Sequence, residues 1–70
     1  MNDRAQHLAQ TVRSRRVQLG LNQQDVADLA GCSTRFVHSV EAGKPTVRLD
    51  KLLDVLDVLG LRLAITGPGE

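Results

Sequence analysis

Residues 20–44 read GLNQQDVADLAGCSTRFVHSVEAGK, a stretch in which two short helices are marked out by their ends. Asn22 is a residue type whose side chain accepts from the free N–H groups of a helix start. Asp25, three positions on, answers that cap and sits in the positive field of the helix N-terminus. The spacing predicts a helix over Gln23–Ala30, ended by Gly31 with a positive φ. Ser33 caps a second helix over Thr34–Ala42, which Gly43 stops and Pro45 reinforces.

Working outward, Leu8, Val12 and Leu19 recur near helical spacing with Gln, Arg and Ser between them. They predict an amphipathic helix from Asp3 to Leu19, with Asp3 and Gln6 as a capping box and Gly20 as its stop. Downstream, Leu49 to Leu59 predicts a fourth helix ended by Gly60, with seven apolar residues among eleven: Leu49, Leu52, Leu53, Val55, Leu56, Val58 and Leu59. One buried stripe needs only about three or four apolar positions per two turns. The surplus, assigned to Val55 and Val58, implies a helix that faces both its own core and a neighbour. Leu61–Thr66 then alternates, with Leu61, Leu63 and Ile65 on one side, which is the period of a strand. A lone strand leaves its backbone unpaired, so this one is expected to pair with its copy in a second chain. The chain thus reads as one mostly α domain over residues 1–66, with four helices and a short C-terminal β-strand pairing across a homodimer. Residues 67–70 are expected to form a flexible tail.

Seventy residues lie near the lower limit for a self-sufficient core. A core of this size rarely supplies more than about 3–5 kcal/mol unaided. Cys32 is the single cysteine, so no intrachain disulfide is expected, and it reads as a small core residue. His7 and His38 have no neighbouring array of thiols or carboxylates, so no metal site is expected. No phosphate-binding glycine loop or nucleophile–base arrangement is seen, and neither enzyme activity nor a cofactor is expected. Oligomerisation is left as the supplement. A single thiol, a polar N-terminus and the lack of a membrane-length apolar run predict a cytoplasmic protein with no membrane association.

The net charge of +1 hides a division. Arg13, Arg15, Arg16, Arg35, Lys44 and Arg48 outweigh Asp25, Asp28 and Glu41, leaving +3 over residues 13–48. Beyond Arg48, the acids Asp50, Asp54, Asp57 and Glu70 outweigh Lys51 and Arg62, leaving −2. A basic middle and an acidic end suit a module with one phosphate-facing side. Asp54 and Asp57 share one helical face but have no partner that would raise a pKa, so they read as solvated.

Two helices of about eight or nine residues joined by a turn of about three have the spacing of a helix-turn-helix. Val12–Lys44, VRSRRVQLGLNQQDVADLAGCSTRFVHSVEAGK, resembles the Xre family of lambda-repressor-like helix-turn-helix domains. Gly20, Leu21, Asn22, Gln23, Ala27, Gly31, Val37, Glu41, Gly43 and Lys44 carry the likeness. The resemblance implies a transcriptional repressor, associated with the nucleoid, that binds palindromic double-stranded operator DNA as a homodimer. It also implies residue roles. Gln23 would touch a phosphate and brace the recognition helix. The helix capped by Ser33 would enter the major groove with Thr34, Arg35, Phe36, His38 and Ser39 toward the base edges. Arg35 would read a guanine through O6 and N7 together. Phe36 would touch a thymine methyl or pack against the first helix. Ser33, Lys44, Thr46 and Arg48 would hold the phosphate backbone. Arg16 and Glu41 occupy the positions of a buried ion pair that pins the first helix to the end of the third.

Two departures stand out. Members often have a fifth helix where this chain offers a strand, and many carry a small polar residue at the position of Phe36. The segment Gly43–Ile65, GKPTVRLDKLLDVLDVLGLRLAI, further resembles HipB-type antitoxins of type II toxin–antitoxin systems. That likeness implies autoregulation of an operon and a HipA-like serine/threonine kinase toxin as partner. The alternative is a stand-alone or phage-type Xre regulator with no toxin partner. The expected dimer interface is Val55, Val58, Leu61, Leu63 and Ile65.

Overall fold

A computed structural model describes residues 3–68, in which four helices follow one another: α1 Asp3–Gln18, α2 Gln23–Ala30, α3 Thr34–Glu41 and α4 Leu49–Val58. The two central helices begin and end where local chemistry dictates. Asn22 Oδ1 accepts from the Asp25 N–H at 2.7 Å, and Asp25 Oδ2 accepts from the Asn22 N–H at 2.9 Å, closing the reciprocal cap of α2. Gly31 then adopts φ 72°, a left-handed conformation that turns the chain within three residues into α3. Ser33 Oγ accepts from the Phe36 N–H at 3.1 Å and starts α3. Gly43 closes it at φ 80°, buried so tightly against the Gln6 side chain that a Cβ would collide with it. Gln6 thus lies against the loop after α3 rather than completing a cap with Asp3.

α2 packs on α3 and α4, and α1 packs on α3. Their inward faces meet in one aliphatic cluster of Val12, Val26, Ala27, Val37, Val40, Leu52, Val55, Leu56 and Leu59. Phe36, the only aromatic residue of the chain, is half-buried at the edge of this cluster.

Three expectations are corrected by the packing. Leu19 lies past the last turn of α1 and is 42% exposed. Ala9 and Val12 form the buried stripe of α1, and Leu21 covers the core after the turn. On α4 the inward set is Leu52, Val55, Leu56 and, just past its last turn, Leu59, an i, i+3, i+4, i+7 stripe. Val55 is wholly enclosed there and has no surface to offer a second chain, while Val58 is half-buried against the same core. The apolar surplus of α4 is instead Leu49 and Leu53, exposed at 59% and 44%. Leu61–Thr66 forms no strand in the single chain, because a strand exists only when its backbone groups have a neighbour to bond. Leu61 is half-buried on the core, and its N–H donates to Leu56 O at 2.8 Å, so the backbone there closes back on α4. Of the expected 67–70 tail, Gly69 and Glu70 lie outside the described residues.

Arg16 stands four residues after Val12 and so shares its inward side of α1. Its Nε donates to Glu41 Oε2 at 2.6 Å and its Nη2 to Glu41 Oε1 at 2.9 Å, a bidentate pair joining α1 to the last turn of α3. The two side chains are only 13% and 5% exposed. Arg16 Nη1 also donates to Leu21 O at 2.8 Å, and Gln23 Nε2 to Glu41 Oε1 at 3.3 Å, so the loop before α2 and the start of α2 join the same point. The hydrogen bond that Arg16 donates to Glu41 raises the Arg16 pKa further above its ordinary value, against the opposing effect of burial. At the other end of the bundle, Arg15 Nε donates to Leu59 O at 2.9 Å and ties α1 to the end of α4.

Removing one partner of such a pair strands a buried charge, at a cost of about 3–5 kcal/mol. Arg16→Met or Glu41→Leu alone should therefore lower stability by about that amount in urea melts. The double variant should recover much of the loss, whereas additive losses would show that the two charges act independently.

Candidate nucleic-acid interface

α3 has eight residues, and its inward face is taken by Val37 and Val40. Helical periodicity therefore turns Arg35 and His38 outward, and both are exposed. Thr34 and Ser39 are half-exposed beside them. Thr34 Oγ1 donates to Gln24 Oε1 at 2.7 Å, which links the first turn of α3 to α2 and leaves the hydroxyl oxygen free to accept. Phe36 points the other way, against the core, which favours packing over contact with a thymine methyl.

The expected phosphate-holding residues fall at both ends of α3. Ser33 accepts the Phe36 N–H through its oxygen, leaving its own O–H proton to donate. Gln23 and His38 line one polar cleft of about 320 Å³, together with Arg13, Arg16, Glu41 and Ala42. Lys44 and Thr46 border a second, more apolar cleft of about 720 Å³, lined also by Leu8, Val47, Leu52 and Leu63. Arg48 stands apart from both. Its Nη2 donates to Asp50 Oδ2 at 2.7 Å, and the two side chains are 67% and 65% exposed. Arg48, with a second hydrogen bond from the Lys51 N–H, holds the Asp50 carboxyl below its ordinary pKa. The pair is solvated and therefore weak, so a phosphate has to compete only with Asp50 for this guanidinium.

Arg35 and Lys44 make neither an ion pair nor a hydrogen bond from their side chains to other described residues. The structure thus brings together an outward cation at the start of α3, an outward imidazole in its middle and a second cation just past its end. Two residues counted in the charge division but given no place at the site, Asp50 and Arg13, take part in it. Asp50 was legible as an acid two positions after Arg48, whereas the place of Arg13 in the polar cleft depends on how α1 lies across α3. Cys32 is half-buried against the core, and burial pushes its thiol above the ordinary pKa, with Lys51 opposing.

The chain matches the helix-turn-helix domain family over residues 7–64. It is 44% identical over 59 residues to y4mF, an uncharacterized HTH-type transcriptional regulator of Sinorhizobium fredii, in an alignment covering 84% of this chain and 78% of that protein. The family match spans α2, the turn at Gly31 and α3, and reaches into α1 on one side and past α4 on the other. The chain belongs to the helix-turn-helix domain family, in its Xre-like, lambda-repressor-like form.

Proposed function

We propose that the chain is a sequence-specific DNA-binding transcriptional repressor that inserts α3 into the major groove of a palindromic operator. The observation that carries this reading is Arg35, exposed and bonded to no other described residue through its side chain, on the outward face of a helix pinned at both ends. A guanidinium on such a helix presents its fork to guanine O6 and N7. Thr34, His38 and Ser39 flank it toward neighbouring base edges. Lys44 and Arg48, with Ser33, Thr46 and Gln23, supply donors to the phosphate backbone and carry no sequence information themselves. The kinship with an HTH-type transcriptional regulator supports the same role. A cytoplasmic, nucleoid-associated location accompanies it. No helix among the described residues is long and apolar enough to cross a membrane.

The repressor acts as a homodimer in this reading. Leu63 and Ile65 are 46% and 96% exposed on a tail segment without secondary structure. Two such segments paired antiparallel about a two-fold axis would cover these side chains and satisfy the backbone, with Val58 and Leu61 at the border. A HipA-like serine/threonine kinase toxin is the further partner proposed. Leu49 and Leu53 lie exposed among the exposed acids Asp50, Asp54 and Asp57 on α4, a mixed apolar and acidic surface that suits a protein contact. Co-purification with the product of the adjacent gene tests this, and a neighbour without kinase character leaves the stand-alone or phage-type regulator.

Arg35→Ala should cost about 1–3 kcal/mol on the specific duplex and relax preference at one base pair per half-site. Lys44→Ala should weaken specific and random duplexes alike and lower the salt slope by about one. Titrations of both duplexes at several salt concentrations separate the two, and an equal loss on both duplexes for Arg35→Ala would displace α3 from the groove. Deleting all residues after Gly60, which also removes Leu61 from the core, should give a monomer or an unstable chain with greatly reduced operator affinity. A truncated chain that still sediments as a dimer would place the interface elsewhere.

A further inference from the structure

We propose that Arg13 is a further phosphate-holding residue, seating one backbone phosphate of the bound duplex in the polar cleft between α1, α2 and the end of α3. The inference rests on the DNA-binding reading above. The cleft is lined by Arg13, Arg16, Gln23, His38, Glu41 and Ala42. Its Arg16 and Glu41 are locked in a bidentate pair at 2.6 and 2.9 Å, with the Gln23 amide nitrogen on Glu41 at 3.3 Å. Those two charges cancel, so Arg13 supplies the unneutralised positive charge of the cleft. The three clustered arginines of α1 are used differently. Arg15 is held by Leu59 O and Gln18, and Arg16 by Glu41, whereas Arg13 is exposed and bonds to no other described residue through its side chain.

Placement makes this charge useful. Arg13 precedes Arg16 by three residues and so lies on the same side of α1 as the pair. His38 belongs both to this cleft and to the outward face of α3. A duplex that takes α3 into its major groove therefore brings a groove-edge phosphate to the mouth of the cleft. A guanidinium fork matches two phosphate oxygens, and a singly charged phosphodiester balances a single arginine. His38 and Gln23 can add ring and amide N–H donors.

The test uses a duplex selected by the full chain from a random pool, then rebuilt with single neutral methylphosphonates along each strand. Arg13→Ala should lower the salt slope by about one and weaken selected and random duplexes to the same extent. One methylphosphonate per half-site that weakens the wild type should weaken Arg13→Ala much less, yet should weaken Lys44→Ala as much as the wild type. Arg13→Gln should behave as Arg13→Ala does, Arg13→Lys should keep the salt slope, and melting temperatures should be unchanged. An Arg13→Ala protein with the wild-type slope and the wild-type methylphosphonate pattern overturns the assignment while DNA binding stands. A wild type that selects no duplex overturns both.

Discussion

The bidentate contact between Arg16 and Glu41 is the point at which the chain is held in register. It joins α1 to the last turn of α3 and, through Leu21 O and the Gln23 amide, gathers in the loop and first turn of α2. Burial of two charges contributes little net stability, because desolvation offsets most of the attraction. The contact instead penalises every arrangement in which one charge is buried without the other. In a core built only of Val, Leu and Ala, where apolar side chains can slide with modest loss, a directional pair selects one packing among several.

The geometry of the candidate interface follows from that selection. With Val37 and Val40 directed inward and both ends of α3 tied, Arg35 and His38 have only one direction in which to point. The cations also sort by availability. Arg15 and Arg16 are spent on holding the fold, Arg48 is loosely held by Asp50, and the side chains of Arg13, Arg35 and Lys44 bond to no other described residue. Along α1, Arg15 and Arg16 hold the fold while Arg13 stays exposed, a distinction that overall charge conceals.

The C-terminal third is organised differently. α4 closes the core with Leu52, Val55, Leu56 and Leu59 and leaves Leu49 and Leu53 outside, and the segment after Gly60 keeps Ile65 almost wholly in solvent. A domain of this size has little stability to spare, and covering those side chains in an assembly would add to it. The reading as a homodimer, and as a partner of a second protein, rests on this surface.

Where the determinants are local, they were legible in the residue string. The caps at Asn22 and Ser33 and the stops at Gly31 and Gly43 act within a few residues, and α2 has the bounds those residues predict, while α3 ends one residue early at Glu41 with Ala42 as its cap. The identities of Arg16 and Glu41 were also readable through a family likeness, although they stand 25 positions apart. What periodicity alone left open was which stripe of α4 turns inward. Seven apolar residues on so short a helix allow more than one buried face, and only contact with α2 selected Val55 for the core and left Leu53 out. The same holds for Leu19, whose spacing fits α1 although the helix ends before it, and for Arg13, which enters the cleft of Gln23 and His38 only because α1 crosses α3 there. Alternation in Leu61–Thr66 records a preference for extended structure, but hydrogen bonds between chains complete a strand, and a single sequence does not supply the second chain. Local hydrogen bonding, in short, is written in neighbouring residues, whereas the choice of buried face depends on surfaces that meet only when the helices pack.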